Sequence, residues 1–385
     1  MSTQLETIPF LSLRPGDDAA IVRRGIERVI ERGWFILGPE LEAFERELAQ
    51  ASGTAAAVGV GTGTDALALI VRALGIGPGD EVITSPLSAA YSALAIMMAG
   101  ARPVFADLDP ARLTLDPEAT AAAITSKTAA IMPVHLYGQA ADMTRFEQIA
   151  ARHGLAIIED CCQAHLGTCE AESGEERPLG TIGAAGALSF YPTKNLGALG
   201  DGGAVITNDK ALAERVKRLR NGGQTSKYQH DEFGVNTRLD EMQAAILRER
   251  LVRLPEWTTR RRALAARYRA ALAGVTAAAP ATLPATLPTT LTVPPEFDAG
   301  HVYHLFPVLS PSREALREHL QANGIETLIH FPIPIPRQRA FASEHPAPCP
   351  IADRVCAEVF SLPLYPSLPD AAVDRIADAI RRFPR

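Results

Sequence analysis

Seven short apolar runs, near residues 56–60, 81–84, 103–106, 129–134, 155–158, 186–190 and 203–207, recur along the first half of the chain. Stretches of helical length and composition separate the early ones, at 64–74, 89–99, 117–124 and 142–152. This alternation leaves little choice of architecture. Strands joined by helical crossovers run parallel, and the helices cover both faces of the sheet. The expected fold class is α/β with a mostly parallel central sheet. A long helical pattern follows from Leu239 to about Leu272, with Pro255 as a break or kink. Residues 275–295 are rich in Ala, Thr and Pro without periodicity and read as an irregular excursion. From about 300 to 385, strand-like and helix-like pieces alternate again. At 385 residues the chain can hold one large or two ordinary domains. The expected division is 1–250 for an N-terminal segment and large domain, and 251–385 for a linking helix and small C-terminal α+β domain.

The first strand leads into Gly59-Val60-Gly61-Thr62-Gly63-Thr64-Asp65-Ala66-Leu67 and then a helical run. Strand, glycine-rich turn and helix together aim backbone N–H groups at an anion, so Gly63 and Thr64 are candidates to hold a phosphate. Gly61-x-Gly63-x-x-Ala66 also fits the looser dinucleotide fingerprint. A ribose-binding acid should then close a second strand about 20 residues on. The first acids downstream, Asp80 and Glu81, open a strand instead, which favours a cup for a single phosphate.

Two further segments give that cup a purpose. Ile157-Ile158-Glu159-Asp160 begins as an apolar strand and ends in an acid, and ligands of parallel sheets bind at the carboxyl ends of strands. Ser189-Phe190-Tyr191-Pro192-Thr193-Lys194-Asn195-Leu196-Gly197 places one lysine on a shaped turn after another strand, with Ser189 able to face the phosphate. A partly buried lysine has a lowered pKa and can form a Schiff base. Lysine, acid and phosphate cup are the three requirements of pyridoxal 5′-phosphate (PLP). The lysine joins its aldehyde carbon, the acid keeps its pyridine nitrogen protonated, and the cup holds its phosphate.

These segments resemble the DegT/DnrJ/EryC1/StrS family of PLP-dependent nucleotide-sugar aminotransferases. The similarity runs from about Ile8 to Phe383 through Gly38-Pro39-Glu40, Gly63-Thr64-Asp65-Ala66-Leu67, Val134-His135-Leu136-Tyr137-Gly138-Gln139, Gln163-Ala164-His165, Gly200-Asp201-Gly202-Gly203, Leu219-Arg220-Asn221-Gly222 and Gly234-Val235-Asn236-Thr237-Arg238-Leu239-Asp240-Glu241. The resemblance implies the fold-type I aminotransferase architecture, a large PLP-binding domain followed by a smaller one. It implies that Lys194 is the Schiff-base lysine and proton carrier, that Asp160 bonds the pyridine nitrogen, and that Gln163 lies near the ring 3-oxygen. Asn236 matches a residue that reaches the phosphate from a partner subunit, which implies a homodimer with shared active sites. His165, Tyr191, Tyr137 and His330 fall where the family lines its substrate pocket, as do Lys227, Tyr228, His230 and His304. The implied substrates are a keto-sugar linked to a nucleoside diphosphate and glutamate as amino donor. Gln163-Ala164-His165 favours amination at C3, such as of a dTDP-3-keto-deoxysugar, over C4.

The chain departs from the family pattern in two places. The aromatic residue that stacks on the cofactor ring falls on Ala89, so either Tyr91 substitutes for it or the ring packs against something smaller. The His-x-Pro-x-Pro-x-His stretch survives as His330 to Pro336, with proline in place of its second histidine. A further family segment, Trp34-Phe35-Ile36-Leu37, is expected to be core, as aromatic-aliphatic runs usually are. Two rival functions are a PLP enzyme that does not transaminate and a nicotinamide-dependent oxidoreductase built on the glycine turn. The second leaves Asp160 and Lys194 without a joint purpose.

Composition adds exclusions. With 38 basic and 44 acidic residues the net charge is −6 and no basic patch stands out, which argues against nucleic acid as a partner. No apolar stretch approaches the ~18 residues of a membrane span, and the amino terminus lacks a signal-peptide pattern; the expectation is a cytoplasmic protein without membrane attachment. The five cysteines, at 161, 162, 169, 349 and 356, form no CxxC pair and no cluster with ligand spacing, so neither a disulfide framework nor a metal site is expected.

Overall fold

The structure, a computed structural model, describes residues 6–273, 291–344 and 346–384. Most of the irregular excursion expected at 275–295 lies outside the described residues. The central sheet is built from β1 (Ala56–Val60), β2 (Glu81–Thr84), β3 (Arg102–Phe105), β4 (Thr128–Met132), β5 (Ala156–Asp160), β6 (Ala185–Ser189) and β7 (Gly203–Thr207). Their spatial order is β1-β7-β6-β5-β4-β2-β3. β7 is antiparallel to β1 and β6, and the other adjacent pairs are parallel. The carboxyl ends of β1, β2, β5 and β6 therefore share one edge, and the turns after them are neighbours in space.

Strand residues alternate between two apolar layers, as the period of two requires. Ile83, Ile131, Ile157, Leu188 and Ile206 belong to one layer, with Phe44 and Leu48 of α2 (Pro39–Ser52), Phe146 of α6 (Met143–His153) and Leu247 of α8 (Glu241–Leu251). Val82, Met132, Ile158, Ala187 and Val205 belong to the other, with α3 (Gly63–Ala73), Ile96 of α4 (Tyr91–Met98) and Val216 of α7 (Lys210–Leu219). Several helices start where short polar side chains accept a first-turn N–H, among them Thr62 for α3, Asp142 for α6 and Asp209 for α7. The expected long helix from 239 divides into α8 and α9 (Leu254–Leu272), with Pro255 in the first turn of α9, where its missing N–H costs nothing. Beyond it, the strands Phe306–Leu309 and Val359–Leu362 pair antiparallel. A separate apolar cluster gathers them with α9, α10 (Arg313–Ala322) and α12 (Asp370–Arg381).

One departure from expectation lies near the start. Trp34 and Phe35 are 55% and 48% exposed, because their segment forms the surface connection between α1 (Ala19–Arg32) and α2 rather than an element packed on the sheet. That connection is pinned by Glu241, a fully buried residue of α8. Its carboxylate accepts from the N–H groups of Gly38, Glu40 and Leu41 at 3.0, 2.9 and 2.8 Å, capping α2 from across the fold. Removing it leaves several buried donors unpaired at a helix N-terminus. Glu241→Ala should lower unfolding stability by about 3 kcal/mol, read from a urea denaturation curve.

Candidate active site

A cavity of about 1270 Å³ opens at the shared edge of the sheet. Gly63, Thr64, Asp160, Gln163, Ser189, Tyr191, Lys194 and His330 all line it. Residues from four different strand ends and turns, spread over 267 positions from 63 to 330, thus meet in one space.

The cup is shaped by close approach. A Cβ on Gly63 would lie 2.7 Å from the Ser189 Cβ and 2.8 Å from the Cys162 Sγ. A Cβ on Gly203, at the start of β7, would lie 2.3 Å from the Thr62 carbonyl atoms, so only glycine lets these segments touch. Thr62 is the N-cap of α3; its hydroxyl accepts from the Asp65 N–H at 3.0 Å. Gly63 and Thr64 are the first two residues of that helix, and their N–H groups have no intrahelical acceptor.

Asp160 ends β5 buried in the wall of the cavity. Its Oδ1 accepts from the Cys162 N–H at 3.1 Å and its Oδ2 from the Ser92 hydroxyl at 2.7 Å. Ser92 was not legible as a site residue. The one signal is a hydroxyl inside the otherwise apolar run of α4. Gln163 accepts from the Tyr137 N–H through Oε1 at 2.7 Å, which leaves its amide nitrogen as the end available to a ligand. Burial lowers the Lys194 amine below its ordinary pKa, opposed by Cys162 and Asp160. At neutral pH the Cys162 contribution vanishes, because burial pushes that thiol well up and keeps it protonated. The site therefore sets a buried amine of lowered pKa in the same wall as Asp160.

Two residues expected at the substrate, His165 and Tyr137, are not among those lining the cavity. His165 is 1% exposed, and its Nε2 donates to the Ser189 carbonyl at 2.7 Å, so it braces the end of β6 from below. Burial, with the Lys194 charge, takes its pKa down to about 3, so it is neutral. Tyr137 is likewise buried outside the cavity wall, and its hydroxyl donates to the His330 carbonyl. Tyr191 does line the cavity and is half exposed. His330 lines it too, with Nδ1 3.1 Å from the Ser361 Oγ and a pKa taken down to about 4, mainly by burial. His304 shares the wall; its Nδ1 donates to Asn195 Oδ1 at 3.1 Å, beside Lys194. Ala89 and Tyr91 both reach the wall, so no aromatic ring stands at position 89 itself. Asn236 is exposed, bridges to Asn221, and is not among the residues lining this chain's cavity.

Among the described residues, one cluster gathers histidine, cysteine and acid: His135, Glu159 and Cys161. Its polar groups are already used. Glu159 accepts from the N–H groups of Gly180, Ile182 and Gly183 and lies 3.2 Å from His135 Nε2, while His135 Nδ1 accepts from the Ala141 N–H. All five cysteines are free thiols. Among the described residues no helix is long and apolar enough to cross a membrane.

Comparison with known proteins agrees with this geometry. The profile of the DegT/DnrJ/EryC1/StrS aminotransferase family matches residues 18–381. The chain is 45% identical to the dTDP-3-amino-3,4,6-trideoxy-alpha-D-glucose transaminase of Streptomyces venezuelae, over all of this chain and 98% of that protein. Its fold superposes on the crystal structure of S. venezuelae DesV in complex with a ketimine intermediate with a TM-score of 0.90 at 44% identity, covering 98% of both chains. NtdA from Bacillus subtilis, solved with bound cofactor PMP, gives a TM-score of 0.87 at 29% identity, covering 99% of this chain and 87% of that one.

Proposed function

Because this chain belongs to the DegT/DnrJ/EryC1/StrS aminotransferase family, we propose that it uses PLP to move an amino group from glutamate to the C3 ketone of a sugar carried on a nucleoside diphosphate. The observation that carries this reading is the convergence of Lys194, Asp160 and the open N-terminus of α3 in one cavity. The donor set fits the cofactor. Gly63 and Thr64 offer N–H groups and Thr64 and Ser189 hydroxyls to a phosphate, Asp160 offers an acceptor to a ring N–H, and Gln163 offers a donor to a ring oxygen. At about 1270 Å³ the space exceeds the ~300–1,000 Å³ of an ordinary ligand pocket and has room for cofactor and substrate together.

Bound there, PLP would supply an aldehyde carbon for the amine and a ring that takes up the electron pair released when a proton leaves the neighbouring carbon. Lys194 Nζ would take that proton and return it to the other carbon, a task suited to an amine whose pKa burial has lowered. Asp160, held by Ser92 and the Cys162 N–H, would keep the ring nitrogen protonated. Tyr191 and His330, on the outer wall, would contact the sugar nucleotide; His165 and Tyr137 would support the floor, as buried braces behind Ser189 and Gln163. Asn236, exposed and beyond this chain's own cavity, would complete the phosphate cup of a second copy, making the homodimer the working unit. The residues over 1–250 would form the cofactor-binding domain and 251–385 the small domain, a division supported by the separate apolar cluster around α9, α10 and α12. Free thiols throughout suit a reducing, cytoplasmic setting.

The C3 preference is supported by the name of the S. venezuelae transaminase as well as by Gln163-Ala164-His165. Protein loaded with PLP and treated with glutamate is expected to convert a dTDP-3-keto-6-deoxysugar to its amine, followed by mass spectrometry. Amination of the 4-keto isomer alone would reassign the enzyme to C4. A cofactor spectrum that never responds to glutamate or any other amino donor would point to a PLP enzyme that does not transaminate.

A further inference from the structure

One residue outside the cavity grips the turn that forms the cup. Thr237 is 7% exposed and lies 176 positions beyond Gly61, yet its hydroxyl accepts from the Gly61 N–H at 2.9 Å. The same hydroxyl donates to Asp65 Oδ2 at 2.7 Å. Asp65 Oδ2 also accepts from the Thr62 hydroxyl at 2.9 Å. Thr237 is held in its turn: its N–H donates to the Arg220 carbonyl at 3.0 Å, and Arg220 donates to the Gly59 carbonyl at 2.6 Å, at the end of β1. The strand end and the glycine turn are thus clamped by a segment far away in sequence.

The contact to Asp65 matters electrostatically. Asp65 stands in the first turn of α3, next to the N–H groups that would face a phosphate. A carboxylate there suits the helix dipole but repels a second anion at the same helix end. Two hydroxyl hydrogen bonds hold Asp65 Oδ2 on Thr62 and Thr237, on the side of the Gly61 turn, and spread its charge over those donors. We propose that Thr237 is a positioning residue for phosphate binding: it sets the glycine turn through Gly61 and holds the Asp65 carboxylate turned from the anion. This inference rests on the reading that the Gly63–Thr64 cup takes the phosphate of PLP.

The test compares PLP with pyridoxal, which lacks the phosphate, on the full-length protein by spectral titration of the cofactor-free form. Thr237→Val keeps the shape and removes the hydroxyl. It should raise the Kd for PLP about tenfold to hundredfold, the effect of losing a buried hydrogen bond to a charged group, and leave the Kd for pyridoxal unchanged. Thr237→Ser, which restores the hydroxyl, should return PLP binding to the wild-type value. Asp65→Asn removes the repelling charge and should bind PLP at least as tightly as wild type, a measurement that stands if the valine variant does not fold. Equal losses for PLP and pyridoxal in Thr237→Val, failure of serine to rescue, or weakened PLP binding in Asp65→Asn would each overturn the role given to Thr237. A wild-type protein that binds PLP no better than pyridoxal would overturn the phosphate cup itself, and the role of Thr237 with it.

Discussion

Replacing Lys194 with alanine should slow the glutamate half-reaction by about 10⁴-fold or more, while PLP still binds through the cup. Among the described residues that line the cavity, Lys194 is the sole lysine, so no second amine can take its place there. Its amine is the group whose proton affinity burial has lowered, and a lowered pKa brings an amine closer to the match with physiological pH that proton transfer favours. Lys194→Arg separates charge from proton transfer. A guanidinium keeps the positive charge in the site but does not give up its proton, so the arginine variant should fail almost as completely as alanine. Wild-type protein with PLP should show a visible band that borohydride removes permanently, and both variants should lack it. A Lys194→Ala protein that turns over glutamate within tenfold of wild type would remove this lysine from the chemistry.

Asp160→Asn should cut the same half-reaction by about 10²–10³-fold with little effect on folding or on cofactor retention. The substitution preserves volume, and its carbonyl oxygen can still accept from the Cys162 N–H, the partner of Oδ1 in the native site. The Ser92 hydroxyl can rotate to suit an amide. What changes is the charge. A carboxylate stabilises a protonated ring nitrogen, whereas an amide either accepts from it without the charge or donates to it and leaves it unprotonated. Either way the site would lose the support that Asp160 is proposed to give the electron pair left when Lys194 takes a proton. Single-turnover absorbance with saturating glutamate measures this step, and an unchanged rate would assign Asp160 to structure alone. Ser92→Ala is the companion variant. It leaves the carboxylate in place with one oriented partner fewer, so its loss should be smaller than that of Asp160→Asn.

The elements of the sheet were legible because their signals are local. Val82, Ile83 and their neighbours read as strand from apolar runs, and the stretch from Thr64 as a helix entered through a glycine-rich turn. The expected runs fall within a residue or two of β1–β7. Lys194, Asp160, Gly63, Thr64 and Ser189 were expected at one ligand edge because strand-end residues of a parallel sheet face it, Gln163 was implied by the family resemblance, and all six line the cavity.

Contacts between distant segments were not legible. Ser92 reaches Asp160 across 68 positions, Thr237 reaches Gly61 across 176, and Glu241 caps α2 from about 200 away. Each depends on the strand order β1-β7-β6-β5-β4-β2-β3 and on how α4 and α8 pack against the sheet, which no local period encodes. Tertiary structure also decided which histidines and tyrosines face the cavity. His165 lies two residues from Gln163, yet the turn after β5 buries it under Ser189 while Gln163 faces the open space. Sequence by itself thus determined the parallel sheet, the glycine turn and the lysine–acid pair, because hydrophobic period and turn stereochemistry act over a few residues. Only the folded chain decided what holds those groups in place, because a buried hydrogen bond forms wherever packing brings donor and acceptor together, at any distance along the chain.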